Sequence, residues 1–276
     1  MADEHSKRPL RLAIAGLGAI GLELAWRIDA GEVPGVALAA VSARDPAKAR
    51  GNLAGLARPP EVAPLAELAG RADVVVECAP AALFTEIAEP VLKAGKVLMP
   101  LSVGAVLDHP ELVALAEESG GRIIVPTGAL IGLDAVKAVA RGTVHSVTLV
   151  TRKPPKGLVG APYLVERGIS VEGLTEPKRL FAGSAREAAQ GFPANLNVAA
   201  ALALAGIGAD RTEVEIWADP SVKHNTHTVE VTSDSSDFTM TIRNTPTEEN
   251  PRTGKITALS VLAALDRLTA PLVVGT

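Results

Sequence analysis

Three closely spaced glycines near the start of the chain could bind the phosphates of a nucleotide. The segment RLAIAGLGAIG brings an apolar run into Gly16, Gly18 and Gly21. A buried strand that turns through such glycines into a helix leaves backbone N–H groups at the helix N-terminus, where a dinucleotide pyrophosphate binds. The spacing predicts a dinucleotide site whose contacts also include Ala19 and Ile20. A glycine-rich turn without a ligand is the alternative.

The end of the next predicted strand bears on which dinucleotide binds. NAD-specific sites usually hold the ribose hydroxyls with Asp or Glu about 20 residues beyond the glycines. This chain has Ser42 in that region, followed by Arg44. Because a guanidinium suits a 2′-phosphate, we expect the cofactor to be NADP or NAD, with NADP accepted at least as well. The alternative is that Arg44 only faces solvent.

Two histidines, His224 and His227, lie where the chain enters another predicted strand. Histidine, with an ordinary pKa of about 6.5, is suited to proton exchange near neutral pH. A hydrogen-bonded structural histidine is the alternative. A spacing of three need not place both rings on one face of a strand, and no further ligands follow at a known metal spacing, so we predict no metal site.

Two further segments contain residues that could contact a ligand. Ala129 lies in the turn PTGALIGLD after the fifth predicted strand, at the carboxyl end of a sheet, where doubly wound folds bind ligands. Asn195 and Asn197 open an alanine-rich helix, and one of them could cap it while the other binds a carboxamide or a substrate. A plain interdomain turn and simple capping are the alternatives.

The first half of the chain alternates short apolar strands with helices, as a doubly wound parallel sheet requires. The single cysteine, Cys78, ends one of these strands, and we predict a buried residue there and not a nucleophile. We predict strands at Leu12–Ala15, Ala37–Val41, Val74–Cys78, Lys96–Pro100 and Arg122–Val125, and helices at Leu22–Ile28, Ala63–Ala69, Phe84–Ala94 and Pro110–Ser119.

The second half instead alternates apolar and polar residues, as in an antiparallel sheet with one covered face. We predict an α/β fold: a Rossmann domain of residues 1–130 and 251–276, and an α+β domain of residues 131–250 built on a largely antiparallel sheet. The terminal helix Ile256–Leu268 would pack back on the first domain. The second domain would hold substrate, catalyse and form a homodimer. Its predicted strands are Val144–Arg152, Thr212–Ala218, Thr228–Thr232 and Phe238–Arg243.

Composition excludes several classes of protein. A net charge of −4 gives no electrostatic footprint for nucleic acid or an anionic membrane. No apolar stretch reaches the roughly 18 to 20 residues that span a bilayer, and the start MADEHSKRPL lacks a signal-peptide core. We predict that this start is a disordered tail. A single cysteine agrees with a cytoplasmic location.

Several motifs are spread over nearly the whole chain: GLGAIG at 16–21, SVGA at 102–105, TGALIGLD at 127–134, FPANLNVA at 192–199, ADP at 218–220 with NTH at 225–227, and NTP at 244–246 with NPRTG at 250–254. In this order and spacing they resemble the L-aspartate dehydrogenase family.

This resemblance implies oxidation of L-aspartate to iminosuccinate with NAD(P), followed by hydrolysis to oxaloacetate and ammonia. It also implies a catalytic histidine at His227 and cofactor contacts from Ala129 and Asn197. The small-molecule substrate would be a dicarboxylic amino acid, whose product serves NAD biosynthesis or aspartate catabolism. The cations that could bind its carboxylates are Lys137, Arg152, Lys223 and Arg243.

One departure from the family pattern concerns the residues after the histidine. Members usually continue with an acidic and then an aliphatic residue, whereas this chain continues with Thr228 and Val229. The substrate is therefore less firmly predicted than the fold. A related imine or semialdehyde reductase, and a non-catalytic nucleotide sensor, are the alternatives; the histidine in its NTH setting argues against the sensor.

Overall fold

The computed structural model describes residues 8–192, 196–247 and 254–275, without the side chain of residue 196. It divides into two compact units. One comprises the chain up to Pro126 together with Ala258–Val274, and the other comprises Thr127–Thr257. Most of the predicted N-terminal tail, residues 1–7, lies outside the described residues, but its last part is ordered: Arg8 pairs with Asp73, and the first strand begins at Leu10.

The first unit is built on a six-stranded sheet. Its strands are β1 (Leu10–Ala15), β2 (Val36–Ser42), β3 (Glu61–Val62), β4 (Val74–Glu77), β5 (Val97–Pro100) and β6 (Arg122–Ile123). All neighbours pair in parallel, in the order β3-β2-β1-β4-β5-β6. This is the strand order of a Rossmann fold, as the sequence predicts.

Helices cover both faces of this sheet. They are α1 (Ala19–Asp29), α2 (Pro46–Leu53), α3 (Leu68–Arg71), α4 (Phe84–Lys93), α5 (Val103–Asp108), α6 (Glu111–Ser119) and α11 (Ile256–Thr269). Because strand side chains alternate between faces, Ile14 of β1 packs in one cluster with Val261 of α11, and Ala13 packs in a second with Phe84 of α4. The terminal helix therefore belongs to the core of the first sheet.

The second unit contains a five-stranded sheet in the order β11-β10-β7-β9-β8. Only β7 and β9 pair in parallel among its neighbours, so the sheet is largely antiparallel, as predicted. Its strands are β7 (Val144–Lys153), β8 (Lys178–Ser184), β9 (Thr212–Ala218), β10 (Thr226–Ser233) and β11 (Phe238–Arg243); its helices are α7 (Leu133–Val139), α8 (Pro162–Glu166), α9 (Ala185–Gly191) and α10 (Leu196–Ala205).

The structure differs from the sequence predictions for secondary structure at several points. The helix predicted at Ala63–Ala69 starts only after Pro64, as a 3-10 turn that leads into α3, because the residue before a proline is disfavoured in the helical region. Strand β8 was not predicted: its register shifts between Arg179 and Phe181, which breaks the alternation of apolar and polar residues. The first helix begins at Ala19 and not at Leu22.

Candidate active site

The glycine turn between β1 and α1 is tightly enclosed at its first residue. Gly16 has φ of +107°, a backbone conformation that side chains rarely allow. A Cβ at this position would lie 2.6 Å from the carbonyl oxygen of Cys78, after β4. The Gly16 N–H donates to the carbonyl oxygen of Ser42 at 2.8 Å, which ties the turn to the end of β2.

The N-terminus of α1 is open beside this turn. Gly18 is the N-cap residue, with extended backbone and no side-chain capping bond, and the Leu22 N–H donates to its carbonyl oxygen at 2.9 Å. The N–H groups of the first turn therefore have no partner within the helix. A Cβ at Gly18 would meet no atom within 4 Å, whereas one at Gly21 would overlap the carbonyl oxygen of Gly16.

This arrangement fits the pyrophosphate of a dinucleotide. The open space at Gly18 lets phosphates approach the backbone, and the N–H groups of Ala19, Ile20 and Gly21 lie at the positive end of the helix dipole. Close packing of Gly21 on Gly16 keeps the turn narrow. The backbone of this segment thus forms a cradle for an anion.

The end of β2 contains the residues expected near the ribose. Ser42 is the last residue of β2 and is buried, and Arg44 is exposed. The acidic residue of this segment, Asp45, caps α2: its Oδ1 accepts from the N–H groups of Ala47 and Lys48 at 3.0 Å each. That carboxylate oxygen is therefore occupied by the helix.

Cys78 lies directly after β4, with its N–H donating to Ala15 O at 2.8 Å. Burial raises the pKa of its thiol far above the ordinary range for cysteine. A thiol that stays protonated is a poor nucleophile. The raised pKa agrees with the prediction that Cys78 is not a nucleophile, but the side chain is half-buried and follows the strand, whereas the sequence predicts a buried strand residue.

His227 lies within β10 and is one of the few buried polar side chains of the second unit, with 4% of its surface exposed. Its Nδ1 lies 3.0 Å from Oγ1 of Thr151, the residue opposite it on β7. This contact uses Nδ1 to orient the imidazole, so Nε2 is the ring nitrogen that the contact does not use. The sequence places His227 at the entry of a strand, but the structure places it inside one.

The electrostatic surroundings keep His227 neutral. Burial, and then the positive charge of Lys153, lower the pKa of His227 to about 3. Lys153 is the last residue of β7 and is 9% exposed. Since residues two apart on a strand share a face, Lys153 lies on the same face of the sheet as Thr151 and His227. A neutral imidazole can accept a proton at neutral pH.

The residue at which the chain departs from the family pattern lies on the other face of the sheet. Thr228 pairs with Thr241 of β11, and their hydroxyl oxygens lie 2.9 Å apart. Adjacent strand residues point to opposite faces, so Thr228 points away from the face of His227. The departure from the family pattern at Thr228 therefore lies on the face of the sheet that does not carry His227.

Strand register also separates the cations that could bind substrate carboxylates. Arg152 and Arg243 both pair with Thr226, which puts them on the face opposite His227. Nη1 of Arg152 also forms an ion pair with Oδ2 of Asp219 at 3.1 Å, and the guanidinium of Arg152 lies over the ring of Trp217. Lys137 and Lys223 are exposed on a helix and a turn.

Lys153 was missed by the sequence analysis. It lies directly after the strand predicted at Val144–Arg152 and two residues beyond Thr151, but only the register of β7 with β10 shows that this face holds the histidine.

Ala129 lies in a turn that is held by the segment after β11. Its carbonyl oxygen accepts a 2.9 Å hydrogen bond from Nδ2 of Asn244, a buried residue. Because a carbonyl oxygen only accepts, this bond fixes the orientation of the amide. Oδ1 of Asn244 is buried and has no hydrogen-bond partner in the described part of the chain. Gly132, further along the turn, packs against Met240 of β11.

The asparagine pair is described only in part. Asn197 lies in the first turn of α10 and is exposed, in the same unit as Ala129 and His227. Asn195 lies outside the described residues.

The described ranges also bear on metal sites and on membrane spans. Within residues 8–192, 196–247 and 254–275, three or more His, Cys, Asp or Glu side chains do not come together as a metal ion would need. Over the same ranges, each helix is too short or too polar to cross a bilayer.

Two family models match this chain. The model described as "Aspartate dehydrogenase, C-terminal" matches residues 134–268, and the model described as "Homoserine dehydrogenase, NAD binding domain" matches residues 16–126. The homoserine dehydrogenase match is thus confined to the half that carries the glycine turn. His227 lies within the aspartate dehydrogenase match.

Whole-chain relatives agree with this division. The L-aspartate dehydrogenase of Bradyrhizobium diazoefficiens is 57% identical, over 100% of this chain and 98% of its own. That of Methanocella arvoryzae is 42% identical, over 96% and 99%. The crystal structure of aspartate dehydrogenase from Thermotoga maritima is similar with a TM-score of 0.71 and 25% identity, over 96% of this chain and 99% of that one.

Proposed function

This chain belongs to the L-aspartate dehydrogenase family, and we propose that His227 is the residue that moves a proton in its reaction. The protein is an NAD(P)-dependent amino-acid dehydrogenase that deaminates L-aspartate oxidatively. The observation that carries the proposal is the setting of His227: it is buried, neutral, and oriented through Nδ1 by the Thr151 hydroxyl.

The chemistry assigns a tautomer to His227. When bound, a nicotinamide cofactor would supply the acceptor for the hydride that leaves Cα of aspartate. His227 takes a proton from the ammonium group, or from the water that hydrolyses the imine. For Nε2 to accept this proton, Nδ1 must carry a hydrogen and donate it to Oγ1 of Thr151, 3.0 Å away. Thr151 is then a positioning residue for the base.

Lys153 is our candidate for binding a substrate carboxylate. It is a buried cation on the face of His227, whereas Arg152 and Arg243 point to the opposite face. A bound carboxylate beside Lys153 would offset the positive charge that contributes to lowering the pKa of His227. Substrate binding would therefore make His227 a stronger base when it is needed.

We assign cofactor binding to two groups of residues. The pyrophosphate would bind at the backbone of Gly16, Gly18 and the first turn of α1, in a domain of residues 1–130 and 251–276. The nicotinamide end would take contacts from Ala129 and Asn197. The domain of residues 131–250 would carry catalysis.

A direct assay tests the reaction. The purified protein is mixed with oxaloacetate, ammonia and NADPH or NADH, and loss of the reduced cofactor is followed. Turnover on a different carbonyl compound instead would favour a related reductase, and binding without turnover would favour a nucleotide sensor.

Replacing His227 with Ala tests its role. Turnover should fall by about 100-fold or more, because general base catalysis is lost, while the Kd for NADPH stays unchanged. The matched control is His224→Ala, which removes an exposed histidine of the same segment. Unchanged turnover in His227→Ala would remove this residue from the mechanism.

We propose further that NADP is accepted at least as well as NAD. Ser42 stands where an acid would hold the ribose, Arg44 is exposed, and Asp45 is engaged in capping α2. The test compares Kd for NADPH and NADH in the wild type, in Arg44→Ala, and in the control Arg50→Ala, an exposed arginine of α2. In Arg44→Ala the Kd for NADPH should rise about 10-fold while the Kd for NADH stays unchanged. In Arg50→Ala neither Kd should change. A strong NADH preference in the wild type would contradict the proposal.

The outer face of the second sheet supports a homodimer. This face, opposite His227, carries Thr228, Thr241 and the half-buried Trp217. Sedimentation equilibrium should give twice the chain mass, and a monomer at micromolar concentration would contradict the dimer. The cytoplasmic location stays a prediction from the single cysteine.

A further inference from the structure

Glu77 is a buried carboxylate that the mechanism above does not use. It is the last residue of β4 and is fully buried, at 0% exposure. It lies opposite Ala15 on β1 and opposite Pro100 on β5. Ala15 immediately precedes the glycine turn, so Glu77 stands at the carboxyl edge of the sheet beside that turn.

The hydrogen bonds of Glu77 join the segments that follow β4 and β5. Oε1 accepts from the Ala79 N–H at 2.9 Å and from the Ser102 hydroxyl at 3.1 Å. Oε2 accepts from the Ser102 N–H at 2.8 Å. Backbone N–H groups only donate, so both carboxylate oxygens serve as acceptors, which suits the ionised form. Burial acts in the opposite direction and raises the pKa of Glu77.

No lysine or arginine of the described residues forms an ion pair with Glu77. Asp73, before the start of the same strand, differs: Arg8, Arg11 and Lys96 surround it. A buried anion without a cation is unfavourable unless hydrogen bonds or a bound ligand compensate it. The hydrogen bonds of Glu77 do this in part and leave its net negative charge in place.

The position of Glu77 in the sheet suggests which group its negative charge acts on. In strand order β4 follows β1, so the crevice between their carboxyl ends is the switch point where doubly wound folds bind ligands. The oxidised nicotinamide ring carries a positive charge and the reduced ring is neutral. We propose that the negative charge of Glu77 stabilises the oxidised cofactor relative to the reduced one, acting through the low dielectric of the interior.

This inference rests on the proposed function, because it needs a nicotinamide cofactor at this edge. The test measures Kd for NADP⁺ and NADPH by calorimetry in the wild type and in Glu77→Gln, which removes the charge at nearly constant volume. We expect the ratio of Kd for NADP⁺ to Kd for NADPH to rise about 10-fold in the variant.

The ratio separates an electrostatic role from a structural one. If Glu77 only holds the segments at Ala79 and Ser102, Glu77→Gln weakens both cofactors equally and leaves the ratio unchanged, which overturns the inference. Ser102→Ala is the matched control, since it removes one hydrogen bond to Oε1 and keeps the charge; its ratio should equal that of the wild type.

A failure of the proposed function can be distinguished from a failure of the role of Glu77. If Glu77→Gln does not fold, Glu77→Ser, with a smaller neutral side chain, should show the same raised ratio, and an unchanged ratio there overturns the inference. If the wild type binds neither cofactor, the proposed function itself fails. If it binds both and the neutral variants keep its ratio, only the role of Glu77 fails.

Discussion

The glycine turn and the histidine face are built in opposite ways. The turn uses the backbone of residues contiguous in sequence, from Gly16 to Gly21, and its binding groups are N–H groups of a helix end. The histidine face uses side chains from separate strands: Thr151 and Lys153 on β7 and His227 on β10. One short stretch of sequence is enough to specify a turn of this kind, whereas the histidine face forms only when β7 and β10 pair.

The two regions also handle charge differently. The turn offers the partial positive charge of a helix N-terminus without any ionised side chain. The histidine face buries its imidazole near a full cation, Lys153, and burial first and that charge second keep the imidazole neutral. We therefore expect substitutions in the turn to act through space and shape, and substitutions on the face to act through hydrogen bonding and protonation.

The largest expected effect separates two glycines of the turn. Gly18→Ala fills open space that phosphates would occupy, so Kd for NADPH should rise about 100-fold with the melting temperature unchanged. Gly21→Ala overlaps the Gly16 carbonyl oxygen and should lower the melting temperature as well. Thermal melts and titrations check both.

The control for this pair is Gly51→Ala in α2, where a Cβ meets no atom within 4 Å. It should leave cofactor binding intact and not reduce stability. If Gly18→Ala binds NADPH as the wild type does, the phosphates do not bind at this turn.

A smaller effect is expected from the hydroxyl that orients His227. Thr151→Val keeps the branched shape but removes the partner of Nδ1, so kcat should fall about 10-fold, as the loss of one hydrogen bond implies. Thr151→Ser retains the hydroxyl and should restore most of kcat. Steady-state kinetics of both variants measure kcat. Equal losses of kcat in Thr151→Val and Thr151→Ser would indicate that packing matters and the hydrogen bond does not.

The remaining expected effect concerns pH and stability. The pKa of His227 is about 3 in the folded protein, against an ordinary value of about 6.5 when unfolded. The unfolded chain therefore binds the extra proton between these values, so the contribution of His227 to the free energy of unfolding is complete above pH 6.5 and is lost as the pH falls toward 3.

Denaturant titrations of the wild type and His227→Gln at pH 7, 5.5 and 4.5 measure this contribution. The wild-type stability should fall more steeply on acidification than that of the variant, since the variant lacks this group and keeps the other titratable groups. Parallel pH dependence of the two proteins would mean that His227 is not buried in its neutral form.

The parts of the fold that follow local rules were predictable. The apolar strands of the first sheet, the glycine turn and the existence of an apolar terminal helix are all visible in composition and periodicity. Strand β8 was not, because the bulge near Phe181 puts consecutive apolar residues, Leu180 and Phe181, inside. The helix expected at Ala63–Ala69 begins only at Leu65, since a proline disfavours a helical backbone at the residue before it.

The candidate site divides along the same line. Sequence alone determined a dinucleotide turn, a family and a histidine of interest, because these depend on residue types at short spacings. Tertiary structure decided which cations share the face of His227, that Thr228 does not, and that Glu77 is a buried anion beside the turn. These facts depend on strand register and on burial, which arise from pairing between distant segments and are absent from any short stretch of the chain.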